Sequence, residues 1–118
     1  MIRKTDIKYV DNLRGGNGTI EMRHIISKEE LMGHGSMFAH VIIPPYGSIG
    51  FHQHVDNTEP YYIIKGEGIF VDNDGSRTPV KTGDVCIIEV GQGHAMENPN
   101  EEPLEMIALI YNKTGKCS

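Results

Sequence analysis

The sequence has no tryptophan, only two cysteines and no cluster of lysine or arginine. Its 118 residues include 11 basic and 16 acidic side chains, which gives a formal net charge of −5 at pH 7. Because nucleic acids and anionic membrane surfaces are bound through clustered basic side chains, neither is expected as a partner. No apolar run approaches the roughly 18 residues that a membrane-spanning helix requires. No apolar stretch follows the basic residues at positions 3 and 4, so a cytoplasmic location without a signal peptide is predicted.

The two cysteines form neither a metal-binding pattern nor an evident disulfide pair. Cys86 lies in an apolar, strand-like segment and is expected to be a small buried side chain, whereas Cys117 is next to last. Neither has a Cys-x-x-Cys partner, so a structural zinc site held by cysteine is not expected. Any metal site in this chain therefore has to use other side chains.

Helix signals are scarce, and turn signals are frequent. One helical turn is predicted over residues 28–32, where Ser27 and Glu30 have the spacing of a capping box. Fourteen glycines and six prolines are spread along the chain, and turns recur about every 8–12 residues, which is typical of a β-sandwich or β-barrel. An all-β fold in a single domain spanning residues 1–118 is therefore predicted. The main predicted extended segments are 19–26, 37–43, 61–64, 69–71, 84–90, 94–98 and 104–111.

Four side chains have the composition of a metal site: His52, His54, Glu59 and the more distant His94. Two histidines separated by one residue on a strand point to the same face, because side chains alternate with a period of two. Alone, this pair could equally be two exposed histidines on an edge strand. Three imidazole nitrogens and one carboxylate oxygen suit one divalent transition metal ion, such as manganese, iron, zinc, nickel or cobalt. Such a set leaves one or two coordination positions open for water or a ligand.

The spacing of these residues resembles the two sequence motifs of the cupin family. The first motif, G-x5-H-x-H-x3,4-E-x6-G, corresponds here to Gly47, His52, His54, Glu59 and Gly66, with four residues instead of five after Gly47. The second motif, G-x5-P-x-G-x2-H-x3-N, corresponds to Gly83, Gly91, His94 and Asn98, with Glu89 in place of the usual proline. Sixteen residues, 67–82, separate the motifs, as in compact single-domain cupins. Neither the shorter spacing after Gly47 nor Glu89 in place of proline removes a residue at a metal-ligand position of the motifs.

The resemblance implies a double-stranded β-helix, that is, a small jelly-roll barrel that holds a metal ion inside and opens at one end. It implies that His52, His54, Glu59 and His94 are the metal ligands, within a metal-binding core of about residues 37–111. Asn98 is expected to stabilise a turn, because an amide is a poor transition-metal ligand beside imidazole and carboxylate. The chain is similar to small bacterial cupins that are often called oxalate-decarboxylase-like.

Two functions are compatible with this sequence. The favoured one is a small metal-dependent enzyme acting on a compact carboxylic acid or sugar derivative, because a metal ion with open coordination positions is reactive. The alternative is a non-catalytic module that binds a small ligand or the metal itself. An enzyme needs an acid or base near the metal, and the candidates are His40, if its strand turns it into the barrel, and Tyr61, which shares strand parity with Glu59. The sequence also offers Glu97, which is close to His94 along the chain. Arg14 and Arg23 could each hold a carboxylate, but both are expected to be solvated at the surface.

A homodimer is predicted from the fold. The apolar extended segments 19–26 and 104–111 lie near the two ends of the sequence and could pair or pack across a two-fold axis. The other expected partner is a small-molecule ligand or substrate.

Overall fold

The computed structural model describes residues 1–114; residues 115–118, and with them Cys117, lie outside the described part of the chain. Its secondary structure consists of strands and two short 3-10 turns, Leu13–Gly15 and Glu29–Leu31. The strands are β1 (Asp6–Asp11), β2 (Thr19–Ile26), β3 (Gly35–Ile43), β4 (Ser48–Gln53), β5 (Asn57–Thr58), β6 (Tyr61–Lys65), β7 (Glu67–Val71), β8 (Arg77–Lys81), β9 (Val85–Cys86), β10 (Gly93–Glu97) and β11 (Leu104–Asn112). The all-β fold class is confirmed.

The strands form two antiparallel sheets. The larger sheet has seven strands in the order β1-β2-β3-β11-β6-β9, and β5 pairs with β11 beside this path. The smaller sheet has four strands in the order β4-β10-β7-β8. Neighbours in these sheets are far apart in sequence, as in β3 with β11 and β4 with β10. Both motif segments therefore meet at the β4 edge of the smaller sheet, where β4 pairs with β10.

The core lies between the two sheets. Val41 and Met106 contribute from the larger sheet, and Ile49, Phe70 and Met96 contribute from the smaller one. Along β3 and β11 buried and partly exposed side chains alternate, as expected for strands with one face on the core. Burial of these aliphatic side chains is the main favourable term in folding. Cys86 is also buried, and burial together with nearby Asp84 and Asp72 raises the pKa of its thiol to about 11.

Three local features differ from the sequence-based prediction. Strands β1 and β8 were not predicted, because both are edge strands whose side chains are mostly exposed and carry no buried alternation. β8 contains Pro79, which an edge strand tolerates because it needs fewer ladder donors. The predicted strand over residues 84–90 is paired only over Val85–Cys86. The apolar run beyond Cys86 leaves the larger sheet without a strand partner.

The predicted helical turn over residues 28–32 is a shorter 3-10 turn, Glu29–Leu31. Ser27 and Glu30 do form the reciprocal contacts of a capping box: the Ser27 hydroxyl oxygen accepts from the Glu30 backbone N–H at 3.1 Å, and the Glu30 carboxylate accepts from the Ser27 N–H at 2.8 Å. Met32 then adopts a left-handed conformation and ends the turn. Between residues 1 and 114 there is no helix with the length and apolar character needed to cross a membrane.

The outer face of the larger sheet carries apolar side chains. Phe38 and Leu109 pair across β3 and β11, on the face opposite to the core, and Tyr62 on β6 is 48% exposed. Both segments named in the dimer prediction, 19–26 and 104–111, contribute strands to this sheet. The homodimer stays a prediction, and this outer face is the surface on which we expect it to form.

We expect the protein to sediment as a dimer at micromolar concentration. Tyr62→Glu is expected to shift it to monomer, because a charge would be buried in the interface. Tyr46→Glu is the matched control, since Tyr46 is a similarly exposed tyrosine (58%) in the loop between β3 and β4, away from this face. Analytical ultracentrifugation gives the result directly. Monomeric wild-type protein would contradict the prediction.

Candidate metal centre

The structure brings the four predicted residues into one cluster. His52 lies near the end of β4, His54 follows it by two residues, Glu59 lies between β5 and β6, and His94 is on β10. One ligand atom from each residue lies within 4.8 Å of all the others. His94 is directly opposite His52 in the β4–β10 ladder. The candidate site therefore joins His52 and His94, which are 42 positions apart, through the pairing of two neighbouring strands.

A β-bulge in β4 places His52 in the interior. His52 pairs with His94, but Ile49 pairs with Met96, so β4 has one extra residue in this interval. Ile49 and His52 consequently both point inward although they are three residues apart. Gly50 lies in the bulge, where a Cβ atom would overlap the backbone carbonyl oxygen of Arg14. A larger residue at position 50 would therefore displace the bulge or the chain that covers it.

The three imidazoles converge on a single carboxylate oxygen. The Nε2 atoms of His54 and His94 each lie 3.0 Å from Oε1 of Glu59, and Nε2 of His52 lies 3.4 Å from the same oxygen. Tyr61 donates its hydroxyl to Oε1 of Glu59 at 3.1 Å. Glu59 is only 5% exposed and His94 is fully buried. The centre of the cluster is thus shielded from bulk water.

Two of the rings are oriented by hydrogen bonds from their Nδ1 atoms. Nδ1 of His52 donates to the backbone oxygen of Gly50 at 2.8 Å, and Nδ1 of His54 donates to Oδ1 of Asn57 at 2.9 Å. A neutral histidine that donates from Nδ1 presents a lone pair on Nε2. Both lone pairs therefore face Glu59. This is the arrangement found in metal-binding histidines, whose other nitrogen is held by an oxygen acceptor.

His94 is held by packing instead. Its ring stacks on that of Tyr61, with centroids 4.5 Å apart and planes 8° apart, and meets Phe70 edge-on at 6.0 Å. Its Nδ1 is buried without a hydrogen-bond partner among residues 1–114. Tyr61 therefore supports two members of the cluster, with its ring on His94 and its hydroxyl on Glu59.

These donor atoms fit a divalent transition metal. The lone pairs of His52 and His54 point at a carboxylate oxygen, and Nε2 of His54 lies 3.2 Å from Nε2 of His94. Electron-rich atoms this close repel one another unless a proton or a cation lies among them. Three imidazole nitrogens and one carboxylate oxygen are a common donor set for such ions. The cluster is thus a candidate site for a divalent transition metal.

The local electrostatics keep the carboxylate charged. Burial alone would raise the pKa of Glu59, but its contacts with the imidazoles of His52, His54 and His94, which donate hydrogen bonds to it when they are protonated, hold it well below its ordinary value. The hydrogen bond to Glu59 raises the pKa of His54, and burial lowers the pKa of His94. Burial and the neighbouring Glu59 charge raise the pKa of Tyr61 well above its ordinary value, so its phenol remains a donor.

A cavity of about 100 Å³ adjoins the cluster. His52, His54, Glu59 and Tyr61 form its polar end. Its walls are mostly apolar and include Met22, Met37, Val41 and Met106 from the larger sheet. A ligand in this cavity would meet the candidate metal site at one end and aliphatic side chains elsewhere.

Of the other residues named from the sequence, some lie at the site and others lie away from it. Tyr61 joins the site. His40 does not, because Ala39 and Val41 face the core and alternation turns His40 to the outer face, where its Nε2 lies 2.7 Å from Oε1 of Glu105. Arg23 pairs with Glu21 on β2. Arg14 is exposed, as expected, and it also lines the cavity.

Sequence reasoning missed Asn57 altogether. It lies three residues beyond His54 and holds that ring through its side-chain oxygen. The available signal was the position of Asn57, in the turn between the histidine pair and the glutamate. An amide oxygen at this position can accept a hydrogen bond from Nδ1–H of His54.

Comparison with known proteins identifies the family. The cupin domain family model matches residues 39–110, which include all four residues of the cluster. The chain belongs to the cupin family. This cupin is 41% identical over 112 residues to the oxalate-binding protein of Thermotoga maritima, covering 93% of this chain and 92% of that protein.

Solved structures confirm the predicted double-stranded β-helix. The cupin superposes on the crystal structure of a predicted oxalate decarboxylase from Thermotoga maritima with a TM-score of 0.88 and 39% identity, covering 95% of this chain and 98% of that one. A Klebsiella pneumoniae protein with a double-stranded β-helix domain gives a TM-score of 0.68 at 20% identity, covering 80% of this chain and 77% of that one. The latter likeness shows the fold alone.

Proposed function

We propose that this cupin binds a small carboxylate through one divalent transition metal ion held by His52, His54, Glu59 and His94. The convergence of three Nε2 atoms on Oε1 of Glu59, beside a cavity of about 100 Å³, carries the proposal. The 41% identity to an oxalate-binding protein supports a small carboxylate as the ligand. We further propose that the chain acts as one cytoplasmic cupin domain with a metal-binding core of about residues 37–111.

The protein's own residues prepare the site for this role. Gly50 and Asn57 orient the first two imidazoles, and Tyr61 supports both His94 and Glu59. When bound, the metal ion supplies a Lewis acid with open positions for ligand oxygens. The apolar walls exclude competing water from the rest of the cavity, which strengthens electrostatic interactions within it.

The size of the cavity limits the ligand. An apolar cavity of about 150 Å³ accommodates benzene in a well-studied engineered protein. The cavity here, about 100 Å³, therefore suits a ligand of few non-hydrogen atoms, such as a two-carbon acid. A compact carboxylate is therefore favoured over a larger sugar derivative.

Binding without turnover is favoured over catalysis. Decarboxylation requires a proton donor for the carbon that loses CO₂. With His40 on the outer face and Glu97 paired with Arg77, Tyr61 is the candidate that remains from the sequence, and its hydroxyl already donates a hydrogen bond to Glu59. Burial also raises the pKa of Tyr61 well above its ordinary value, which makes it a poor proton donor near neutral pH. The enzyme alternative therefore depends on Tyr61, a weak acid whose hydroxyl is already hydrogen-bonded to Glu59.

The test begins with protein purified without an affinity tag or a chelator. Elemental mass spectrometry is expected to find about one equivalent of manganese, iron, zinc, nickel or cobalt per chain. Calorimetric titration with oxalate is then expected to give binding in the metal-loaded protein and none after removal of the metal. Because oxalate itself chelates metals, the metal content is measured again after gel filtration.

Protein that neither retains nor takes up metal would overturn the proposal. Oxalate binding that is equal with and without metal would place the ligand elsewhere. Formation of formate and CO₂ from oxalate by the loaded protein would replace the binding function with the enzyme alternative.

A further inference from the structure

Arg14 has a fixed backbone position over the cavity. It lies in the 3-10 turn Leu13–Gly15 with φ 57° and ψ 30°, a left-handed conformation that is uncommon outside glycine. Backbone hydrogen bonds from Gly15 to Asn12 and from Gly16 to Leu13, of 2.9 and 3.0 Å, hold the turn. The absence of a side chain at Gly50 lets the Arg14 backbone lie directly against the β4 bulge. A residue in a strained conformation that its surroundings enforce often has a functional role.

The Arg14 side chain differs from every other arginine of the chain. Arg3 pairs with Glu30, Arg23 with Glu21 and Arg77 with Glu97. The exposed Arg14 side chain has no hydrogen bond or ion pair within residues 1–114, and Arg14 lines the same cavity as Glu59 and the two histidines of the first motif. The cavity thus has a cation without a counterion beside the candidate metal site.

The charges of the site then favour a dianion. On the basis of the proposed function, a divalent ion and the Glu59 carboxylate together carry one positive charge, and Arg14 adds a second. A dicarboxylate would balance both charges, whereas a monocarboxylate would leave one uncompensated. In a cavity with apolar walls an uncompensated charge is costly, because little water is present to solvate it.

We propose that Arg14 is the residue that makes this site selective for a small dicarboxylate. One carboxylate of the ligand lies on the metal ion, and the other is held by the Arg14 guanidinium, whose planar set of N–H groups matches a carboxylate with two parallel hydrogen bonds. The short cavity restricts the ligand to a dicarboxylate in which the two groups are close together, as in oxalate.

The test compares oxalate with glycolate, a monocarboxylate of similar size, by calorimetry on metal-loaded protein at fixed ionic strength. Arg14→Gln is expected to weaken oxalate binding on the order of 10–100-fold, the range that corresponds to loss of a charge-assisted hydrogen bond. Glycolate binding is expected to change by less than about 3-fold, within the variation expected of a neutral contact. Arg14→Lys keeps the charge without the planar fork and should fall between wild type and Arg14→Gln. The metal content is expected to be the same in all variants.

Arg23→Gln is the matched control, since it removes the same charge from a residue that faces away from the cavity. Unchanged oxalate affinity in Arg14→Gln, or an equal loss for oxalate and glycolate, would overturn the role of Arg14 while leaving the proposed function intact. Wild-type protein that binds metal but no carboxylate would overturn the proposed function, and the role of Arg14 with it. Loss of metal from Arg14→Gln would assign Arg14 to the integrity of the metal site instead of to ligand choice.

Discussion

Glu59→Gln is expected to lower the affinity for a divalent metal ion by more than ~100-fold. Mutation of a residue that only hydrogen-bonds to a metal ligand lowers metal affinity by about 10–100-fold, and Glu59 is itself a proposed ligand. Glu59 is the only anion in the cluster, and its Oε1 is the atom on which all three imidazoles converge. Glutamine keeps the shape but removes the charge that offsets that of the ion, and its amide is a poor ligand for transition metals. Equilibrium dialysis followed by elemental analysis measures the loss.

Glu105→Gln is the matched control for this experiment. Glu105 makes the same kind of contact, with Oε1 2.7 Å from Nε2 of His40, but on the outer face of the larger sheet. We expect it to bind metal as the wild type does, and circular dichroism should show that both variants are folded. Equal metal affinity in Glu59→Gln and the wild type would exclude Glu59 as a ligand.

Asn98→Ala is expected to lower the free energy of unfolding by about 2–4 kcal/mol, because buried carbonyls that lose their donor cost about 1–3 kcal/mol each. The Asn98 side chain is 1% exposed. Its Nδ2 donates to the backbone oxygens of Ile43, Pro44 and Glu102 at 3.3, 3.0 and 2.8 Å. It thus ties the end of β3 to the loop before β11. Urea unfolding of metal-free protein measures the change without a contribution from metal binding.

Two further variants separate hydrogen bonding from packing at this position. Asn98→Asp keeps the volume but places acceptor oxygens against three carbonyls, so we expect it to be at least as destabilising as Asn98→Ala. Glu101→Ala, at an exposed residue of the same loop, should leave the midpoint of unfolding unchanged. If Asn98→Asp unfolds at the wild-type urea concentration, the side-chain hydrogen bonds do not stabilise the fold.

The grouping of His52, His54, Glu59 and His94 and most central strands could be predicted because each has a local signature. The strands β2, β3, β6, β10 and β11 carry apolar patterns that match their burial. His52, His54 and His94 stand at motif spacings that depend on which strands pair, and the pairing of β4 with β10 places them opposite one another. Where a sequence pattern reflects burial on one face, it specifies both the strand and the direction of its side chains.

The remaining features depend on contacts between distant segments, which no local pattern reports. The orientation of His40 was left open because both faces of β3 carry large side chains, and only the position of the core decides between them. Arg14 precedes the first motif by more than thirty residues, and its place beside the cavity follows from the close packing of its backbone on Gly50. Gly15 and Gly16 indicate a turn at this point of the sequence, but they do not indicate that the turn lies beside the cavity.

The cluster and part of the cavity wall come from different parts of the chain, so the two can change separately. All four residues of the cluster come from the stretch 52–94, whereas Leu13, Arg14, Met22 and Met37, which line the cavity, all precede the family-model match at residue 39. An exchange of the first 38 residues would change the shape of the cavity beside the cluster, while all four candidate metal-binding residues would stay in place. Proteins that share both motifs can for this reason accept different small molecules, and the N-terminal segment is the part to randomise when a new ligand is sought.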